Sequence, residues 1–329
     1  MPQILIPKSL MKKAIIILII TIACNTIFAQ ANKLYRQATK ATDLNEKVSL
    51  YSAVIALEPD NLDAYFYRAI AKNDLGDYSG AIVDYSKIIL KKPDADTYYN
   101  RGNSRYSLKD FDGAKDDYEE AYKRDPQLLD ALYSLGCVKY DLGEFESAII
   151  DFSKIIGLVP TLQTTYFLRA SAYMALKQYT KALEDYSVAI IVNPNAEAYY
   201  NRGVFYLDIN YYQKANDDLN RALKLNNSNS FNYFYRGASF LLLGKYLDAI
   251  SDFKTALTFD ANDFDAMLGL SISYNKAKDA ENAQLYFEKA LSIVSPNARK
   301  KDVEAFNNTY WYQKQYYYFN ENFVELSKL

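Results

Sequence analysis

The chain has no histidine and only two cysteines and one tryptophan in 329 residues. Without imidazole it lacks the commonest general base and the commonest metal ligand. Ser-His-Asp catalysis, Cys-His catalysis and zinc chemistry are therefore excluded within it, and carboxylate or lysine chemistry stays open. Cys24 and Cys137 are too few to staple a fold, so packing alone must hold it. Charge of one sign is also missing. The net charge is −2, with Lys and Glu interspersed, which leaves no basic footprint for nucleic acid. What is abundant is apolar and aromatic surface. Half the residues are apolar, 15% are aromatic and 32 are tyrosine, a composition suited to an extended core rather than to disorder.

Only one long hydrophobic run occurs, at the N-terminus. Lys12 and Lys13 precede Ala14-Ile15-Ile16-Ile17-Leu18-Ile19-Ile20-Thr21-Ile22-Ala23, and small residues lead to Ala29-Gln30. A basic start, a short apolar centre and a small residue at the cut read as a secretory signal over 1–29, cleaved after Ala29. The run is about half the ~20 residues of a spanning helix, so no membrane span is expected in the mature chain. Met11 opens a complete signal by itself, leaving Met1 and Met11 both open as starts. Thr21-Ile22-Ala23-Cys24 resembles the lipobox of bacterial lipoproteins, with Thr where Leu is usual, and makes a lipid anchor at Cys24 the alternative. Either route implies an exported protein, periplasmic or associated with the cell envelope.

The rest of the chain repeats. Tyr51, Tyr85, Tyr118, Phe152, Tyr186, Leu219, Phe253 and Phe287 are spaced by 33 or 34 residues. Pro59, Pro93, Pro126, Pro160 and Pro194 each follow that position by eight, where a proline ends one helix before the next. Each unit reads as two helices around a tight turn, such as Gly76-Asp77-Tyr78, Gly143-Glu144-Phe145, Asn210-Tyr211-Tyr212 and Gly244-Lys245-Tyr246. Small residues recur twelve apart across the turn, from Ala69 and Ala81 through Gly102 and Ala114 to Ser271 and Ala283, as close antiparallel helices require.

These features resemble the tetratricopeptide repeat (TPR) family, shown by Tyr98-Tyr99-Asn100-Arg101-Gly102 with Asp117-Tyr118 and by Tyr199-Tyr200-Asn201-Arg202-Gly203 with Asp218-Leu219. The resemblance covers about residues 31 to 296. It implies an all-α fold, a right-handed superhelical solenoid of antiparallel helix pairs in about eight units. A degenerate unit at 30–61 would lead, seven units would fill 62–296, and an aromatic-rich capping helix would occupy 297–329.

Arg68, Arg101, Arg169, Arg202 and Arg236 share one repeat position, and Asp84, Asp117, Asp185, Asp218 and Asp252 lie sixteen residues on. The terminal units lose both residues, and only the unit with Leu135 and Asp151 is mixed. This co-occurrence predicts an ion pair bridging the two helices of each unit, in preference to a charge ladder for an anionic ligand.

Helical geometry places Tyr98, Arg101, Gly102 and Arg105 on one face of a first helix, with Asp96, Tyr99, Asn100, Asn103 and Tyr106 roughly opposite. In TPR proteins the second stripe lines a concave groove that takes peptides or helices, so the resemblance implies a partner protein or peptide there. One rung is Phe66, Tyr99, Tyr133, Phe167, Tyr200, Phe234 and Leu268. A second includes Asn73, Tyr106, Tyr140, Met174, Leu207, Leu241 and Asn275. Asn100, Asn103 and Asn201 lie inside, and Asp63, Asp96, Asp130, Glu197 and Asp265 form an acidic rim. Aromatic area with polar tips suits an apolar or basic peptide. Chaperone-docking TPRs grip a C-terminal carboxylate with lysine and asparagine. Here the matching rung is aromatic, and that specificity is not expected.

The leading function is a binding scaffold in the bacterial envelope, without catalytic residues, metal or cofactor. A lipid-anchored subunit of an envelope complex, a glycan-binding protein and a carboxylate-based glycan enzyme are the alternatives. Against the enzyme, the acidic residues recur at repeat positions and none forms a unique constellation.

Overall fold

The computed structural model describes residues 8–294 and 302–328, with the side chains of 8–15 and 17–24 outside the description. The signal expected over 1–29 therefore lies partly outside it, and so do the side chain of Cys24 and residue Pro296. The described residues contain helices and no strand. No helix among them is long and apolar enough to cross a membrane.

The chain divides into two compact units, Met1–Leu158 and Val159–Leu329. In the first, α1 (Lys8–Lys40) pairs with α2 (Leu44–Leu57) and α3 (Leu62–Asp74) with α4 (Tyr78–Lys91). Next, α5 (Ala95–Ser107) pairs with α6 (Phe111–Arg124) and α7 (Leu129–Asp141) with α8 (Phe145–Leu158). In the second, α9 (Gln163–Ala175) pairs with α10 (Tyr179–Val192) and α11 (Ala196–Asp208) with α12 (Tyr212–Leu225). The pairs α13 (Ser230–Leu242) with α14 (Tyr246–Phe259) and α15 (Phe264–Lys276) with α16 (Ala280–Val294) follow.

Local chemistry accounts for this regularity. In α6 the buried residues are Ala114, Asp117, Tyr118 and Ala121, the i, i+3, i+4, i+7 stripe of a helix with one face inward. Asp77 and Asp110 accept the Gly80 and Gly113 amides and so start α4 and α6. First helices end in a Schellman closure. After α3 the Gly76 N–H donates to the Asn73 carbonyl and the Asp77 N–H to that of Lys72, at 2.9 and 2.8 Å. The closing residue is left-handed at Gly76, Gly143, Asn210 and Gly244, and also at Lys109, Lys177 and Lys278. The turn was thus legible where Gly or Asn stands, and three lysines adopt the same backbone under the pull of the repeat.

The small first-helix residue makes room for the large side chain sixteen positions on. A Cβ on Gly102 would lie 2.7 Å from the Tyr118 ring, and one on Gly136 2.6 Å from that of Phe152. Gly203 and Gly237 meet Leu219 and Phe253 in the same way, at 2.9 and 3.0 Å.

The expected capping helix is a 3-10 turn, Val303–Phe306, followed by α17 (Tyr310–Lys314) and α18 (Tyr316–Leu326). Phe306, Trp311, Phe319, Phe323 and Leu326 are buried in one cluster with Phe253, Leu268, Leu270 and Phe287. The tail thereby completes the core of the last two pairs.

Candidate functional site

Arginine and aspartate meet at every seam where both occur. Arg68–Asp84, Arg101–Asp117, Arg169–Asp185 and Arg236–Asp252 each approach to 2.6 or 2.7 Å, and Arg202–Asp218 to 2.7 Å. Each is a two-pronged fork, Nε to Oδ2 and Nη2 to Oδ1. Burial works against the charge on Arg236, and the Asp252 carboxylate more than offsets it, holding the guanidinium above its ordinary value.

The arginine also reaches backward, to the residue that follows the repeat ring or leucine of the preceding pair. Nη1 of Arg68, Arg101 and Arg202 donates to Ser52, Ser86 and Ser187 of the preceding pair, and that of Arg236 to Asn220. Its guanidinium lies over the tyrosine three residues earlier at Tyr65, Tyr98, Tyr166 and Tyr233, between 5.3 and 6.0 Å from the ring centre. Part of the tyrosine excess is thereby structural. In the mixed unit Lys139 replaces the missing arginine and donates to Asp151 at 2.9 Å.

On the opposite face of the first unit, adjacent first helices are tied along the expected stripe. Ser104 of α5 donates to Asn73 of α3 at 2.9 Å, and Tyr106 of α5 donates to Asp141 of α7 at 2.5 Å. That second bond pushes the Tyr106 phenol up to about 12. Phe66 and Tyr99 lean edgewise or tilted on Tyr85 and Tyr118, both at 5.9 Å, and remain half-buried. Tyr106 is exposed and packs on Phe111, while half-buried Tyr140 packs on Phe145. Tyr133 is half-buried too. Asn103 accepts the Tyr118 hydroxyl at 2.8 Å, and Asn100 donates to the Asp96 carbonyl one turn back. These amides are thus partly committed to the fold. Asp63, Asp96 and Asp130 stand exposed at the rim. Cys137 on α7 is a free cysteine, and burial pushes its thiol up to about 12, which keeps it protonated and unreactive.

In the second unit the stripe is open only in part. Phe167 is buried against Tyr186, and Tyr200 is half-buried against Tyr235. Phe234 was expected to line the groove, but the tail covers it. Tyr310 and Trp311 pack edgewise on its ring at 5.2 and 6.3 Å, leaving it 5% exposed, with Leu241 and Leu268 buried beside it. The rim residue Asp265 accepts the Tyr310 amide at 2.8 Å, and its carbonyl accepts the Trp311 indole N–H at 2.8 Å. Burial raises the Asp265 carboxyl to about 7. Lys314 reaches Asp208 of α11 at 3.4 Å, and Glu325 accepts from Asn275 at 3.0 Å. One sequence signal pointed to this docking. Gly269 stands where the other units carry Tyr67, Asn100, Ser134, Leu168, Asn201 and Tyr235, and a Cβ there would meet Trp311 at 2.7 Å.

Fold and site together define an all-α protein of repeated helix pairs, joined by charged seams and presenting an aromatic first-helix face. Three family profiles described as tetratricopeptide repeat match it, at 95–128, at 129–161 with 164–195, and at 196–229. The chain belongs to the tetratricopeptide repeat family.

Rat serine/threonine-protein phosphatase 5 is 38% identical over 84 residues, 25% of this chain and 17% of that protein. Heat shock protein STI1 of Saccharomyces cerevisiae is 35% identical over 111 residues, 34% of this chain and 19% of that protein. The chain thus spans less than a fifth of the length of these curated relatives, and the phosphatase match lies in that protein's repeat region alone. A tetratricopeptide repeat protein from Parabacteroides merdae superposes with a TM-score of 0.58 at 18% identity, over 82% of this chain and 99% of its own. Yeast Tom70 does so with 0.53 at 15% identity, over 90% of this chain and 64% of its own. At such identities the likeness concerns the fold. Proteins of this fold are typically scaffolds for protein–protein interaction rather than enzymes.

Proposed function

We propose that this chain is an interaction scaffold of the bacterial cell envelope that holds a partner protein or peptide on the first-helix face of its N-terminal unit. The observation that carries this is the ladder of Tyr99, Tyr106, Tyr133 and Tyr140, half-buried or exposed on α5 and α7, beside exposed Asp96 and Asp130. Rings held at one edge by the fold offer area at little entropic cost, and the acidic rim favours an apolar segment bearing basic residues. Export is supported by the packing of α1. Ala31 and Ala38 are buried, Ala38 in one cluster with Tyr51 and Val54 of α2, whereas Ile27 and Phe28 just before them are exposed. Mass spectrometry of the mature N-terminus separates cleavage after Ala29 from lipidation of Cys24.

The binding face is tested with a photo-crosslinking residue in place of Tyr106 or Tyr140, compared with Val83 or Leu90, which are exposed on α4. Adducts from the first pair and none from the second, in cells expressing the full chain, support the reading. Adducts only from Val83 or Leu90 would move the site to the second-helix surface and overturn it.

A further inference from the structure

In the second unit a recess of about 340 Å³ lies between the start of α11 and the loop from α12 to α13. The five preceding inter-pair loops carry the repeat proline, at Pro59, Pro93, Pro126, Pro160 and Pro194. Here the loop reads Asn226-Asn227-Ser228-Asn229. Glu197, Tyr200 and Asn201 from α11, Asn226 and Asn229 from the loop and Asn232 from α13 converge on the recess.

The polar atoms left over define what can enter. The side-chain oxygens of Asn226 and Asn229 are occupied by nearby backbone amides, that of Ser228 in the loop and that of Phe231 at the start of α13, which leaves their NH₂ groups as donors. Asn232 is 1% exposed; its NH₂ donates to the Asn226 carbonyl at 3.3 Å, and its Oδ1 has no partner. A buried acceptor left unmatched costs about 1–3 kcal/mol, and native structures seldom keep one without a reason. Asn201 and Glu197 make no side-chain hydrogen bond among the described residues. The lining therefore offers both donors and acceptors, together with the Tyr200 ring.

An anion would face Glu197 without a cation to balance it. A guanidinium would set its donors against the NH₂ groups of Asn226 and Asn229. An extended peptide shows its amides to alternating sides about every 3.3 Å, which suits a trough open at both ends rather than a recess walled by three separate segments. Hydroxyl groups both donate and accept, and the C–H face of a sugar ring packs on an aromatic wall.

We propose that this recess binds a neutral saccharide, one or two pyranose rings of a glycan. Its volume falls at the small end of the ~300–1,000 Å³ usual for ligand sites. Glu197 is the sole carboxylate among the lining residues, and glycoside hydrolysis needs a pair, so the recess binds without cleaving.

The test is saturation-transfer NMR on the full chain, with N-acetylglucosamine, its dimer and cellobiose as probes and acetyl-trialanine amide as the peptide control. The expected result is millimolar binding of at least one sugar, weakened about tenfold or more in Asn201→Ala and in Glu197→Gln and unchanged in Leu90→Ala, a change at the exposed surface of α4. Glu197 is exposed and unbonded, so Glu197→Gln keeps the test valid if Asn201→Ala unfolds. Absence of saturation by all three sugars, or equal saturation in both recess variants, overturns the proposal. Binding of the peptide with the same sensitivity also overturns it, because the recess would then read amides. None of these outcomes touches the crosslinking at Tyr106 and Tyr140, which stands or falls separately.

Discussion

Arg101 grips Asp117 through two parallel bonds, Nε to Oδ2 at 2.9 Å and Nη2 to Oδ1 at 2.6 Å, and holds Ser86 of the preceding pair with its remaining nitrogen. One side chain thus joins three helices, α4, α5 and α6. The aspartate is almost fully buried and also receives Arg105 at 2.9 Å. Asp117→Ala should therefore leave the Arg101 guanidinium without its carboxylate and take one partner from Arg105, which keeps the Gly113 carbonyl, and cost about 3 kcal/mol, read as a lower denaturant midpoint at an unchanged slope. Arg101→Lys keeps the charge and loses the fork, so it should cost less, about 1 kcal/mol. A variant Asp117→Ala as stable as the parent would show that the seam contributes nothing.

Lys177 closes α9 with φ of 57°, in the left-handed region where a Cβ is crowded. Gly143 and Gly244 do the same task without strain. Lys177→Gly should raise stability by up to about 1 kcal/mol and shift the melting temperature upward. The same change at Lys109 and Lys278 should act in the same direction, because the backbone is the same.

Gly269 sits beneath the only tryptophan of the chain. A methyl group there meets Phe253 at 2.5 Å and Trp311 at 2.7 Å. Gly269→Ala should loosen the tail, red-shift Trp311 fluorescence toward that of an exposed indole and cost about 1–3 kcal/mol. Unchanged emission would mean that the tail shifts to accommodate the methyl group without undocking.

The tail should also respond to pH. Asp265 is held at about 7 in the folded protein by burial, against ~3.9 for a free aspartate. A raised carboxyl contributes its full stability below about 4, and loses that contribution as pH rises through 7. Asp208 and Asp263, both raised by burial, act with the same sign. Unfolding followed by Trp311 fluorescence should therefore show a weaker C-terminal unit at pH 8 than at pH 5. Asp265→Asn keeps an acceptor for the Tyr310 amide and removes the titration, so it should flatten most of that slope. A slope of opposite sign in the parent would contradict the burial of Asp265.

The period of 33 or 34 residues, the proline positions and the small residue of each first helix were all readable along the chain, because each reflects a local or nearest-neighbour constraint that recurs. The co-occurrence of Arg101 with Asp117 and of Arg202 with Asp218 placed them within one pair for the same reason. A residue that acts once leaves no such echo. The bonds of Tyr106 to Asp141 and of Asp265 to the Tyr310 amide occur once each, and no spacing rule encodes them.

The tail marks the division most clearly. Sequence by itself determined the repeated helix pairs and the aromatic stripe on the first helices, since helical period and hydrophobic burial act on neighbours in the chain. Whether each ring of that stripe meets solvent was decided only by tertiary packing. Tyr106 stays exposed, whereas Phe234, one rung of the same stripe, lies under Tyr310 and Trp311, more than seventy residues away along the chain. The physical reason is that the final pair has no further repeat to cover it. Its apolar surface is buried by the nearest segment able to reach it, and that segment takes part of the aromatic stripe as its seat.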